Sequence, residues 1–219
     1  MDGWRTATRG PRCRRRSGSW ARGDKADPDV RAACEWLASE GYATFSINYR
    51  LAPAFTFPAP LNDVQAAVRW VRLPEQVARF EIDPDRVGLF GASAGGHLAA
   101  LAGASGEGNW VADARVAAVV DLSGPIDLHA AIPTTAAYTG DFAQAQLDFL
   151  GCAVFAGCVT ADAASVITSV DSSDPPFLVA HSYDEFIPII QSQLLVDALV
   201  AKSVPVTWIP LAGSAHALE

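Results

Sequence analysis

The 219-residue chain lacks the features that would mark several other classes of protein. No apolar run approaches the roughly 20 residues that a helix needs to cross a bilayer, so no membrane span is expected. The N-terminal stretch holds arginines but no apolar segment behind them; a secretory signal is therefore not expected, and a cytoplasmic location is. Cysteine is scarce. Cys13, Cys34, Cys152 and Cys158 make no C-x-x-C pair, and with only four histidines in the chain no metal site is expected. Cys152 and Cys158 could bridge in an oxidising compartment, but buried free thiols are the expectation. Glycines in the G-x-G-x-x-G pattern of dinucleotide sites are missing, as is the Lys-Ser or Lys-Thr that closes a P-loop, so no cofactor is expected. No internal repeat is evident.

What is present suits one packed domain. Half of the residues are hydrophobic and 18% are charged, a balance that supports a core rather than disorder. The net charge is −8 and unevenly spread. Seven of the 16 basic residues, but only one of the 24 acidic ones, lie before residue 23, which leaves the remainder at −14. An acidic body of this kind argues against nucleic acid as a partner. Residues 1–17 are an irregular Arg-rich segment, and residues 18–219 read as the folded domain.

Along that domain, apolar periods of two alternate with periods near 3.6. Val30 to Glu40 reads as an amphipathic helix stopped by Gly41, and Tyr42 to Tyr49 as a strand. Asn62 is the expected N-cap of a helix running through Arg72. Arg86 to Phe90, Val116 to Leu122, Pro176 to Ala180 and Val206 to Leu211 read as further strands; Val116 to Leu122 is apolar enough to be buried on both faces. Pro188 to Lys202 reads as a helix. The Ala-rich stretch around 127–170 suggests short helices forming a small insertion. Strands alternating with helices predict an α/β fold with a parallel sheet.

The most informative segment is Gly91-Ala92-Ser93-Ala94-Gly95-Gly96. An apolar strand precedes it and a helical pattern follows, which is the context of a G-x-S-x-G nucleophile. The turn must be tight enough to lift the Ser93 hydroxyl off the sheet, so Gly91 and Gly95 are expected to be there because a side chain would crowd the reversal. It also sets the Ala94 N–H at a helix start, facing a developing oxyanion. A serine needs a neutral imidazole as base and a carboxylate to orient it. Functional groups in such sheets gather on loops at the carboxyl ends of strands. Asp184 follows one strand, with Glu185 beside it as a substitute, and His216 follows the last. The expected triad is Ser93, Asp184 and His216. His97 reads as a helix residue near the site, and His129 and His181 as structural.

These residues resemble the α/β-hydrolase esterase/lipase family, near its hormone-sensitive-lipase-like and feruloyl-esterase-like carboxylesterases. The resemblance runs from Gly41 to Pro53, Phe57 to Val64 and Ile82 to Val87, through the Ser93 turn, then over Asp174 to Phe177 and Asp184 to Pro188. It implies an α/β-hydrolase fold and hydrolysis of small acyl or aryl esters through an acyl-enzyme, without a metal. An arylformamidase using the same triad lies in the same neighbourhood. Lipase-like members carry Asp before the serine; Ala92 stands there, which favours the feruloyl-esterase-like branch.

One departure concerns the family's His-Gly-Gly strand end, whose glycines complete the oxyanion hole. Gly18-Ser19-Trp20-Ala21-Arg22-Gly23-Asp24-Lys25 fits the downstream half, so Gly18 and Ser19 are the expected remaining donors alongside Ala94. Arg16 stands where the histidine belongs, and Arg14-Arg15-Arg16 would cost several kcal/mol or more in a buried strand. Codons for an apolar strand ending in His, read out of step, encode Arg-Arg-Arg-Ser. The first ~17 residues are thus expected to reflect a shifted frame or a misplaced start. The family's first strands and closing helix are also expected to be missing, which makes a catalytically impaired fragment the alternative expectation.

Overall fold

Four parallel strands bring loop after loop to one edge of the molecule. The computed structural model describes residues 28–134 and 141–218. Strands β1 (Gly88–Ala92), β2 (Ala118–Leu122), β3 (Phe177–Ser182) and β4 (Val206–Leu211) lie side by side in chain order, all parallel. Parallel neighbours cannot be joined by a hairpin, so the chain returns through helices. Helices α1 (Pro28–Ser39), α2 (Ala59–Val71) and α3 (Pro74–Phe80) precede β1; the returns are α4 (Ala94–Gly103) between β1 and β2, α5 (Phe142–Leu150) and α6 (Ala161–Ala164) between β2 and β3, and α7 (Ile190–Ala201) between β3 and β4.

Register fixes what each sheet face carries. Leu89, Val119, Phe177 and Val206 form one row, and Gly91, Asp121, Val179 and Trp208 the next on the same face. This face meets α4, where a Cβ on Gly103 would collide with Val119. α4 is buried from Gly96 to Gly103, so it is apolar all round rather than striped. Leu98 and Leu101 are shut away from water, each contributing about 1.5–3 kcal/mol by burial. At the opposite end of the sheet, buried Arg115 donates to the Ser173 and Gly106 carbonyls and pairs with Asp174 at 3.3 Å. Among the described residues, no helix is long and apolar enough to cross a membrane.

Several expectations are met closely. β4 spans the expected residues, and α1, α7 and β3 lie within two residues of theirs. Others are corrected. Tyr42 to Tyr49 makes only an isolated bridge at Phe45. A strand exists by virtue of a paired neighbour, and among the described residues none flanks β1 on its outer edge. Among the described residues the segment is held by side chains: Phe45 packs edge-on against Trp70 and Phe80, and Arg50 grips Asp63. Asn62 does not cap α2, which starts three residues earlier at Ala59; the Asn62 N–H already bonds the Pro58 carbonyl, and Pro60 presets the first turn. β2 is fully buried only at Val119 and Asp121, with Ala118, Val120 and Leu122 half-buried. Helix α3 has no counterpart among the expected elements because it buries no residue and leaves no apolar stripe. Cys152 and Cys158 are joined in a disulfide, with Cα atoms 5.8 Å apart, rather than free.

Candidate active site

β1 ends at Ala92, and the next residue breaks the backbone rules. Ser93 has φ 54° and ψ −123°, a conformation that costs a non-glycine residue about 1–3 kcal/mol. The turn stands because its N–H bonds the Leu122 carbonyl at 2.8 Å and its own carbonyl accepts from His97 N–H at 3.0 Å, inside α4. Gly91 is required, since any Cβ there would run into the Gly95 carbonyl. The second required glycine is not the expected one. A Cβ on Gly95 meets no described atom within 4 Å, whereas one on Gly96 would strike the Asp121 carboxylate. Ala94 is the first residue of α4, so its amide sits at the positive end of that helix.

The loops beyond the strands are sewn together by main-chain hydrogen bonds. Ser123 N–H bonds Ala180 O at 3.0 Å, Tyr183 N–H bonds Leu211 O at 2.9 Å, and Asp184 N–H bonds Gly213 O at 2.9 Å. With the bond from Ser93 to Leu122, these carry the pairing past the strand ends. Ser93, the 183–185 turn and His216 therefore share one edge of the sheet.

At that edge the carboxylate beside His216 belongs to Glu185, not Asp184. Glu185 is 2% exposed, and its Oε2 lies 3.1 Å from His216 Nδ1 and accepts the Ser123 hydroxyl at 2.8 Å. Asp184 is exposed. Its N–H is turned toward Gly213, which aims its side chain at solvent and turns the next residue inward; the longer glutamate arm then reaches the imidazole. Burial pushes Glu185 up, but the nearby His181 and the hydrogen bonds from His216 and Ser123 outweigh it and hold the carboxyl below its ordinary value. It is ionised where an imidazolium must be balanced. The Phe186 ring packs at a tilt against His216 with centroids 4.2 Å apart, and Phe142 of α5 backs Phe186 at 6.1 Å, so the insertion braces the imidazole.

The other polar groups beneath the site have separate duties. His97 Nδ1 lies 2.6 Å from the Pro125 carbonyl, and burial pushes its pKa down to about 4, so it takes up a proton too weakly to serve as the base. His181 is buried, 2.7 Å from Glu185 Oε1. His129 bridges Asp127 and Asp162 at the surface. Asp121 is buried under Gly96 and Gly124, and burial pushes it up to about 7. Gly18 and Ser19 lie outside the described residues. Among the described residues, no three His, Cys, Asp or Glu side chains are grouped to hold a metal ion.

The BD-FAE family profile matches residues 16–199. Esterase LipC of Mycobacterium tuberculosis is 33% identical over 220 residues, covering 92% of this chain and 51% of its own length. Esterase LipQ of the same organism is 32% identical over 92% of this chain and 48% of its own. The chain thus spans about half the length of these curated relatives. Among solved structures, a truncated carbohydrate esterase from gut microbiota superimposes with a TM-score of 0.73 at 28% identity, covering 90% of this chain and 75% of that one. With the parallel sheet, the strained serine turn and a profile match over most of its length, the chain belongs to the BD-FAE family and has the α/β-hydrolase fold.

Proposed function

We propose that this protein is a serine hydrolase that cleaves carboxylic esters with small acyl groups through an acyl-enzyme. Ser93 Oγ attacks the ester carbonyl carbon while His216 Nε2 takes the hydroxyl proton. The carbonyl electron pair moves onto oxygen, and the resulting oxyanion faces the Ala94 N–H at the head of α4. As the tetrahedral species collapses, the C–O bond to the alcohol breaks and His216 returns the proton to the departing oxygen. Water, deprotonated by His216, then attacks the acyl-enzyme and releases the acid and free Ser93. Glu185 replaces Asp184 as the carboxylate that holds His216 Nδ1–H and balances the imidazolium. Gly18 and Ser19 remain the candidates for further oxyanion donors.

The observation that carries this reading is the Glu185–His216 hydrogen bond, on the same strand-end edge as a serine held at positive φ. The named activities of LipC and LipQ, both esterases, support ester cleavage. The test is hydrolysis of p-nitrophenyl acetate and butyrate by the purified protein and by Ser93→Ala. Wild-type turnover that disappears in the variant is expected. Equal rates in the two proteins remove the reading. A formanilide substrate in the same assay separates an amidase of the arylformamidase type from an esterase.

A further inference from the structure

Below the proposed triad lies a second histidine that no step of the reaction uses. His181 sits in β3, its side chain is sealed from solvent, and it makes three contacts. Nε2 lies 2.7 Å from Glu185 Oε1 and 2.9 Å from the Ile187 carbonyl, while Nδ1 lies 2.7 Å from Ser192 Oγ in α7. The two neighbours of Nε2 are both acceptors, so that nitrogen carries the proton. Nδ1 is then the acceptor and the Ser192 hydroxyl donates to it. The tautomer follows from the surroundings.

We propose that His181 is a positioning residue that fixes which oxygen of Glu185 faces His216, with Ser192 holding the His181 ring in place through Nδ1. The inference rests on the serine-hydrolase reading above. A glutamate has one more rotatable bond than an aspartate, so its carboxylate can twist or withdraw unless both oxygens are held. Oε2 is held by Ser123 from the β2 side and by His216 from the β4 side. Oε1 has His181. The imidazole also binds Ile187 O, so it spans the turn from residue 181 to residue 187 and keeps Glu185 inside it. Strand β3 and helix α7 thereby fix the acid from beneath, while β2 and the loop after β4 fix it from above.

The test compares His181→Leu, His181→Gln and Ser192→Ala. Each is measured by kcat, by KM, and by the downfield proton resonance of His216 Nδ1–H in its hydrogen bond to Glu185. Loss of a buried polar contact to a charged group lowers kcat roughly 10- to 100-fold. His181→Leu is therefore expected to lower kcat by that factor with KM nearly unchanged, and to abolish or broaden the resonance. His181→Gln keeps an N–H that can reach Glu185 and is expected to recover most of both signals. Ser192→Ala removes the Nδ1 anchor and leaves the His181 ring free to tilt, and is expected to broaden the resonance with a smaller loss in kcat. An unchanged kcat and resonance in folded His181→Leu overturns the proposal, as does an equal loss in the Leu and Gln variants. Should His181→Leu not fold, Ser192→Ala decides, and an unperturbed resonance there is the refuting result. The resonance is read without substrate. If Ser93→Ala hydrolyses as fast as wild type, the esterase reading fails while the effect of His181 on the Glu185–His216 pair is still measured.

Discussion

Asp121 offers a measurement in which the sign and size of an electrostatic effect follow from one buried group. Its Oδ1 accepts the Gly124 N–H at 3.0 Å, and its Oδ2 has no hydrogen-bond partner among the described residues. Burial is the main reason its pKa rises from 3.8 to about 7; repulsion from Glu185 adds to the rise, while the Gly124 hydrogen bond opposes it. A carboxyl with a raised native value prefers to stay protonated in the folded state. It leaves stability untouched below its unfolded value and weakens the fold progressively as pH climbs toward the native value. A rise of about three units corresponds to about 4 kcal/mol. Asp121→Asn keeps the acceptor for Gly124 and removes the ionisation. The new amide N–H₂ has no partner and costs about 1–3 kcal/mol, but that cost does not depend on pH. Urea melts of both proteins between about pH 4 and about pH 8 separate the two contributions. Relative to wild type, the variant is expected to gain about 4 kcal/mol over that range, regardless of its offset at the acidic end. Parallel stability curves would show that Asp121 ionises normally, and the account of its burial would be wrong.

The identity of the triad acid is separable by two conservative changes: Glu185→Gln is expected to lower kcat by about 10²–10⁴, and Asp184→Asn to leave it within about threefold, in a p-nitrophenyl ester assay. The reverse pattern would return the role to Asp184. Gly91→Ala is expected to lose the fold or at least about 3 kcal/mol, because its Cβ meets a backbone carbonyl that cannot yield, whereas Gly95→Ala is expected to melt within a few degrees of wild type. Replacing Cys152 and Cys158 by serine opens a short loop and is expected to cost about 2 kcal/mol in a denaturant melt; a dithiol reductant on the wild type should match it.

The parts of this fold that could be read from the sequence are those whose signal is local. Val206 to Leu211 is bounded by Pro205 and by the Ala212-Gly213 turn, and it forms a strand over those residues. The serine turn announced itself because glycines flank it between an apolar run and a helical one. What could not be read depends on neighbours. Tyr42 to Tyr49 has strand composition, but composition does not supply a pairing partner. Asp184 and Glu185 are adjacent carboxylates on a turn, and neither period nor composition says which faces inward; the choice is made by a hydrogen bond to Gly213, on another strand's loop. Gly96 matters through Asp121, which is 25 residues away in the chain. His181 left one usable sign: a polar residue closing the apolar run Phe177-Leu178-Val179-Ala180 has to find partners when that strand is buried.

The stitching of the 183–184 turn to the 211–213 loop has an evolutionary side. Peptide groups make those bonds, so the side chains at Tyr183, Asp184 and Leu211 are free to drift without pulling acid and base apart. Proline is the exception. At 183 or 184 it would delete a donor that no side chain can replace, and the alignment of Glu185 with His216 would go with it.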